Sequence, residues 1–242
     1  MSIKEKNSIL LQAAETGDTE TVKRMLDRNA DINTRGWSAD TLLNLAIKNG
    51  HRETVTLLIS EGANVNARGA LGNTPLHDSI YKGDDSITSL LRSKGADSNL
   101  QNSYGLVPAD MQQVLKVQSE IIETASLLSP EGKWSDRSKA RILYNRVKAE
   151  KPSYIINALV LQIIQGHQMR LQVLLLAIKM GIPNSEENLV SILNVYGSKS
   201  MAEDYLNSGS ELLYNGGIGW ANAHGYHMLE GPGSNRSGWG RF

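Results

Sequence analysis

Histidine is the side chain that most often transfers protons or binds metal ions near neutral pH, and this chain of 242 residues contains five of them. His224 and His227 have the spacing H-x-x-H, which on a helix would place both imidazoles on one face. Gly225 interrupts such a helix between them, and no carboxylate motif accompanies the pair. The sequence therefore predicts no metal site and no catalytic residues here.

Two other groups of residues could carry chemistry, and each has a simpler explanation. Gly216 to Gly219 could suggest a phosphate-binding loop, but no predicted strand precedes this stretch and no P-loop lysine follows it. Arg137, Arg141, Lys148 and Lys151 form a basic stripe on one predicted helix. Such a stripe is usually a solvated face, and binding of an acidic partner is the alternative. The chain has no cysteine, which excludes disulfides and thiolate metal sites, and we expect no cofactor.

The surroundings of His77 indicate a structural role for this residue. Thr74 is suited to cap a helix, and Pro75 is suited to its first position, where a missing N–H costs nothing. Leu76 begins an apolar face, and Gly83 ends the helix in a conformation that tolerates positive φ. A second predicted helix follows, so the element is a helix–turn–helix unit.

This unit recurs with a period of 33 residues. Four sets of equivalent residues share the period: Gly17, Gly50 and Gly83; Leu10, Leu43 and Leu76; Ala30, Ala63 and Ala96; Asn33, Asn66 and Asn99. The period and the T-P-L-H stretch at Thr74 are those of ankyrin repeats, so the first half of the chain resembles an ankyrin array. The resemblance implies that His51 and His77 make structural hydrogen bonds.

These patterns predict an all-α protein, a short ankyrin-repeat solenoid followed by an α-helical domain. Residues 1–128 would form the solenoid, with a degenerate fourth repeat or cap after three repeats at 7–35, 36–68 and 69–101. Ser129 to Gly132 contains two structure breakers and marks the predicted boundary. Residues 129–230 show the apolar periodicity of five or six helices.

Residues 231–242 form a Gly-rich tail that cannot be a helix. Its aromatic residues either dock on the region around Tyr226–Leu229 or stay free until a partner binds. We expect docking, because segments that order on binding are usually poor in aromatic residues.

Composition limits the partners and the compartment. Lysine plus arginine and aspartate plus glutamate both number 25, so no global field favours nucleic acid. The start of the chain has no apolar run typical of a secretory signal, and the longest apolar stretches are too short to span a bilayer. We expect a cytoplasmic protein with a protein partner, without nucleic acid or membrane binding, and the oligomeric state stays open.

Hairpin tips and inner helices form a concave binding surface in ankyrin arrays, and the resemblance implies the same surface here. The predicted partner-binding residues are Arg35, Trp37, Asp40, Lys48, Asn49, Arg68, Leu71, Asp78, Tyr81, Lys82 and Tyr104. Rigid aromatic side chains supply much of the binding energy at interfaces, so Trp37, Tyr81 and Tyr104 are the main candidates. Trp37 could instead pack beneath its own hairpin.

These features predict a non-enzymatic module that binds a specific protein, and more narrowly an inhibitor or immunity protein that neutralises a toxin or enzyme. One alternative is a scaffold or effector adaptor that uses the repeats for docking. The other is an enzyme or toxin with a small C-terminal catalytic domain, for which the nearby polar residues are His224, His227, Glu230 and Arg236.

Overall fold

The structure of the chain is a computed structural model that describes residues 2–36, 38–129, 132–165 and 168–226. These residues form thirteen α-helices and no β-strand, which confirms the predicted all-α class. Trp37, His227 and the predicted tail at 231–242 lie outside the described residues. The described residues divide into two compact units that separate between Gln112 and Gln113.

The first unit is a stack of three helix pairs with the predicted period. The pairs are α1 (Ile3–Thr16) with α2 (Thr19–Leu26), α3 (Leu42–Asn49) with α4 (Arg52–Ser60), and α5 (Pro75–Lys82) with α6 (Asp85–Ser93). Within the stack α3 packs between α1 and α5, and α2 packs on α4. We call α1, α3 and α5 the inner helices.

Glycine ends each inner helix at the predicted position. Gly17, Gly50 and Gly83 are left-handed, with φ of 77°, 80° and 72°, a conformation that costs glycine little. Gly17 is also constrained by space, because a Cβ there would lie 2.4 Å from His51 Nδ1. The 33-residue period thus reflects a repeated turn geometry.

The first helix begins four residues earlier than the predicted start of the first repeat at residue 7. Ser2 and Glu5 form a capping box, in which the Ser2 N–H donates to Glu5 Oε2 at 2.7 Å and the Glu5 N–H donates to Ser2 Oγ at 3.3 Å. These bonds satisfy N–H groups that a helix start otherwise leaves unpaired. The charged residues Lys4, Glu5 and Lys6, which precede the predicted repeat, therefore belong to the first turn of α1.

The core of the stack lies between the helix pairs. Leu10, Leu43 and Leu76 occupy equivalent inner-helix positions and are at most 1% exposed. They belong to one apolar cluster, in which the second helix of each pair contributes buried side chains that include Val22, Met25, Val55, Leu58, Ile87 and Leu91. Each repeat therefore buries its apolar face against its neighbours, as in solenoid folds.

The fourth repeat departs from the helix-pair pattern. After a turn at Asn102–Leu106, a 3₁₀ turn at Pro108–Asp110 leads into one long helix, α7 (Met111–Ala125). The Asp110 carboxylate accepts the Val107 N–H at 2.9 Å, as Asn44 and His77 accept the N–H groups of Thr41 and Thr74 in the earlier repeats. Most of α7 groups with the second unit, and the domain limit at residue 128 stays a prediction.

The second unit contains six further helices, in agreement with the predicted five or six. They are α8 (Arg137–Lys148), α9 (Pro152–Gln165), α10 (Arg170–Met180), α11 (Ser185–Tyr196), α12 (Lys199–Leu206) and α13 (Glu211–Ala223). Ser185 is the first residue of α11, and the cap position is Asn184 with φ of 60°. None of the helices in the described ranges has the length and apolarity needed to cross a bilayer.

A buried ion pair joins α10 and α12 inside this unit. Arg170 is 2% exposed and its Nη1 donates to Asp204 Oδ2 at 2.9 Å, while its Nε donates to the Ile163 carbonyl at 3.2 Å. The adjacent Tyr205 is fully buried and its hydroxyl donates to the Leu189 carbonyl at 2.7 Å. Because charged and hydroxyl groups are costly to bury unpaired, these bonds fix how the helices meet.

Candidate functional site

Two inner helices present equivalent side chains on one face. Lys48 and Asn49 of α3 occupy the same repeat positions as Tyr81 and Lys82 of α5, which lie 33 residues later in the chain. Asn49 and Lys82 are exposed, and Lys48 and Tyr81 are half-buried. With the nearby tip residues they form what we call the inner-helix surface, defined as Arg35, Lys48, Asn49, Arg68, Leu71, Tyr81, Lys82 and Tyr104.

The two tip arginines connect neighbouring repeats. Arg35 Nη1 donates to the Ala39 carbonyl at 2.8 Å and to the Arg68 carbonyl, and Arg68 Nη1 donates to the Gln101 carbonyl. We call this series the arginine ladder. Both side chains remain exposed, so each can contact a partner with the N–H groups that the ladder does not use.

Asp40 is a predicted surface residue that the structure places in the interior, at 3% exposure. Its carboxylate accepts from Lys48 Nζ at 2.8 Å, from Ser38 Oγ at 2.9 Å and from the Ala70 N–H at 2.8 Å. Gly69 has no side chain where this network needs space, because a Cβ there would lie 2.5 Å from Asp40 Oδ1. Asp40 therefore joins its own tip to the next one and holds Lys48 in place.

Asp78 is also buried, and it ends a chain of side-chain amides. Asn44 Nδ2 donates to Asp78 Oδ2 at 2.7 Å, and Asn73 Nδ2 donates to Asp78 Oδ1 at 3.1 Å. Asn102 Nδ2 in turn donates to Asn73 Oδ1 at 3.0 Å. Lys48 Nζ lies 3.9 Å from Asp78 Oδ2, so this lysine bridges two buried carboxylates.

Sequence reasoning did not identify Asn44, Asn73 and Asn102 as members of this network. A signal for one of them was present, because Asp40 and Asn73 are separated by the repeat period and therefore occupy equivalent positions. Asp40 and Asp78 support the inner-helix surface from below, where they orient Lys48, and do not form part of its exposed area.

Burial governs the ionisation of this network. It raises the pKa of Asp78 to about 6, although Lys48 and the amides of Asn44 and Asn73 favour the charged carboxylate. Burial also opposes the charge of Lys48, but Asp78 and Asp40 outweigh it and raise the pKa of Lys48 above its ordinary value. Lys48 therefore stays charged while Asp78 gains a proton near pH 6.

The raised pKa of Asp78 predicts a distinctive dependence of stability on pH. The folded chain holds a proton between about pH 4 and pH 6 that the unfolded chain has released, so this group makes folding less favourable as pH rises through that window. A rise of about two units corresponds to about 3 kcal/mol. We expect the stability difference between wild type and Asp78→Asn to shift by about this amount, in favour of Asn, from pH 4 to pH 7.

Urea unfolding at both pH values measures this difference, and Asp18→Asn is the matched control. Hydrogen bonds from Thr21 lower the pKa of the exposed Asp18. The stability difference between wild type and Asp18→Asn should therefore shift in favour of wild type as the pH rises, opposite to the shift for Asp78→Asn. An Asp78→Asn difference that is the same at pH 4 and pH 7 would contradict the prediction.

The histidines of the repeats bind backbone carbonyls of neighbouring repeats. His77 Nε2 donates to the Leu106 carbonyl at 2.9 Å, which leaves Nδ1 to accept the Thr74 N–H at 3.1 Å. Burial lowers the pKa of His77 and favours this neutral form. His51 Nε2 lies 2.9 Å from the Glu15 carbonyl. In the second repeat Asn44 replaces the histidine, and its Oδ1 accepts the Thr41 hydroxyl at 2.7 Å.

Leu71 and Tyr104 occupy the tips of the third and fourth repeats. Leu71 has φ of 58°, which is strained for a leucine, and its carbonyl accepts the Ser103 N–H at 2.9 Å. Tyr104 is half-buried, and burial raises the pKa of its hydroxyl to about 12, so the phenol is neutral. Both side chains offer apolar area that is held in position by backbone bonds between tips.

Among the residues that the structure describes, no three histidine, cysteine, aspartate or glutamate side chains converge as metal ligands would. His224 stacks on Trp220 with a centroid distance of 4.2 Å, and its Nδ1 lies 2.8 Å from the Trp220 carbonyl. His227, Glu230 and Arg236 lie outside the described residues.

Comparison with known families agrees with the geometry of the first unit. Residues 5–102 match a family model described as ankyrin repeats (3 copies). These residues are therefore ankyrin repeats, a family of protein–protein interaction modules that is typically non-catalytic. No family model matches the C-terminal half, and no curated protein is similar to the chain.

Proposed function

We propose that the chain binds one specific protein partner through the inner-helix surface and has no catalytic activity of its own. The observation that carries this proposal is the buried polar network beneath the surface, which joins three consecutive tips through Asp40, Asn73 and Asn102. A surface fixed in this way loses little side-chain freedom on binding, which favours affinity.

The composition of the inner-helix surface indicates how a partner would be recognised. Tyr81 and Tyr104 supply the rigid aromatic area that dominates most interfaces. Lys82, Arg35 and Arg68 are exposed cations around them, so the partner would present acidic groups around an apolar centre. Lys48 adds a charge whose position is set by Asp40.

We further propose that binding neutralises the partner, as an inhibitor or immunity protein does. The repeats can cover an active site without supplying chemistry, which suits a chain whose described residues contain no metal-ligand cluster. We also propose that the protein acts in the cytoplasm, the location that the sequence predicts.

Capture on the immobilised full chain, followed by mass spectrometry and isothermal titration calorimetry, tests the proposal. We expect stoichiometric capture of one protein and complete loss of that protein's activity at an equimolar ratio. Tyr104→Ala should weaken binding by more than about 1 kcal/mol, as expected for an aromatic residue at an interface.

Lys82→Glu should also weaken the complex, and Lys94→Glu is its matched control, because Lys94 is exposed beyond the end of α6. Unchanged affinity in both surface variants would move the binding site off the repeats. Capture of many weak partners, without inhibition of any, would instead indicate a scaffold or adaptor.

A further inference from the structure

The second unit contains a groove of about 310 Å³ that the repeats do not contribute to. Its lining combines two aromatic rings with three cationic side chains: Trp134, Tyr144, Arg137, Arg141 and Lys179, with Ala140 between them. Arg137, Ala140, Arg141 and Tyr144 follow one face of α8, because they are spaced by three or four residues. A groove of this size accommodates one or two side chains of a ligand.

The walls of the groove are held by hydrogen bonds. Trp134 lies in a short antiparallel bridge with Leu128, next to the Ser135 N–H that donates to the Leu127 carbonyl at 2.8 Å. The Tyr144 hydroxyl donates to the Lys179 carbonyl at 2.9 Å, which joins α8 to the end of α10. The backbone at Trp134 and the hydroxyl of Tyr144 are therefore held by bonds that do not depend on a ligand.

The charges of α8 are divided between its two sides. Lys139 pairs with Glu123 at 3.1 Å and Arg146 lies 4.0 Å from Glu120, both on α7. On the groove side, Arg137, Arg141 and Lys179 form no ion pair with a carboxylate of any residue that the structure describes. The groove therefore has a local positive potential in a chain whose formal net charge is zero.

The arrangement of the cations distinguishes between anionic ligands. Arg137 and Arg141 are one helical turn apart, and Lys179 approaches from another helix. Guanidinium groups at this spacing match carboxylates on every second residue of an extended chain, which lie on one side of it, each through paired N–H donors. The lining contains no glycine-rich loop that would direct backbone N–H groups at a single phosphate.

We propose that this groove binds an acidic peptide segment that carries one apolar side chain among its carboxylates. The carboxylates pair with Arg137, Arg141 and Lys179, and the apolar side chain packs between Trp134 and Tyr144. The second unit would thus recognise acidic protein segments whatever the repeats bind. This site is separate from the inner-helix surface, so its test does not depend on the partner proposed above.

Fluorescence anisotropy with the full chain tests the proposal, with a labelled peptide Glu-Glu-Asp-Leu-Glu-Glu as the probe. The uncharged analogue Gln-Gln-Asn-Leu-Gln-Gln should not bind. We expect Arg137→Glu with Arg141→Glu to weaken binding by about tenfold or more, since two charge-assisted contacts become repulsive. Both residues are exposed, so the variant should fold, and circular dichroism checks this.

Two further variants separate a specific site from general charge attraction. Arg28→Glu with Lys94→Glu makes the same change in net charge on exposed residues of the repeats and should leave binding within about twofold of wild type. Arg137→Lys with Arg141→Lys keeps the charge but removes the paired N–H donors, so it should weaken binding less than the glutamate variant does. Trp134→Ala should weaken the leucine-containing probe more than a probe with alanine in its place.

Equal losses in the groove variant and the charge-matched variant would overturn the proposal, as would wild-type binding by the groove variant. Inorganic pyrophosphate is tested as a competitor of the labelled peptide for the groove, and the concentration needed for displacement is compared with that of unlabelled peptide. If pyrophosphate displaces the labelled peptide at the lower concentration, the proposal is overturned and the groove is assigned to phosphate ligands.

Discussion

Leu43→Ala should lower the free energy of unfolding of the repeats by about 2–5 kcal/mol, the usual cost of a buried leucine-to-alanine change. Leu43 is 1% exposed and lies in the apolar cluster between its equivalents Leu10 and Leu76. The cavity would form in the middle repeat of the stack. Because each repeat depends on its interfaces with its neighbours, we expect all three helix pairs to lose stability together.

Urea unfolding followed by circular dichroism measures the loss, and hydrogen exchange locates it. Exchange should become faster in α1 to α6 and stay unchanged in α9 to α13. Ile9→Ala is the matched control, because Ile9 precedes the buried Leu10 on α1 but is 37% exposed. Wild-type stability of Leu43→Ala would show that the apolar cluster is not where the stack is stabilised.

Asp204→Ala should lower the free energy of unfolding of the second unit by about 3 kcal/mol, because it removes the carboxylate that pairs with the buried guanidinium of Arg170. Arg170 is 2% exposed and pairs with Asp204 at 2.9 Å. The Asp204 side chain is 24% exposed, so water can partly replace it, which places the cost at the lower end of the range for broken buried pairs. The loss should appear as faster hydrogen exchange in α10 and α12.

The adjacent Glu203 provides the control. Its pairing with Lys199 at 4.0 Å is exposed on both sides, so Glu203→Ala should cost about 0–1 kcal/mol. Arg170→Met removes the buried charge itself and should cost less than Asp204→Ala. If Arg170→Met is the more damaging of the two, the ion pair contributes stability beyond the compensation of a buried charge.

The repeat fold could be predicted from sequence because its turns recur. Gly17, Gly50 and Gly83 mark left-handed helix ends, and Thr74 with Pro75 marks a helix start. Each of these residues determines the backbone conformation of only a few neighbouring residues. Their spacing in the sequence is therefore enough to predict where the helices begin and end. The start of α1 was missed because its capping box lies before the first recognisable repeat.

The support of the candidate surface could not be predicted in the same way. Asp40 and Asp78 are polar residues on tips and inner helices, which normally indicates exposure, but each is buried by bonds to a different repeat. Such bonds join residues about one repeat apart in the chain and leave no local pattern. The groove at Trp134 and Tyr144 is a similar case, since its two walls come from separate segments.

The arginine ladder has a consequence for how the array can change in length. Each guanidinium donates to the carbonyl found 33 residues later, so donor and acceptor belong to the same position of successive repeats. A duplicated copy of residues 36–68 inserted after Arg68 would therefore bring its own arginine and carbonyl, and every bond of the ladder would have a counterpart. The series ends at Gln101, which provides the final acceptor and has no guanidinium to extend it. The connection between repeats is thus directional, and the ladder itself would continue through an inserted copy of a repeat.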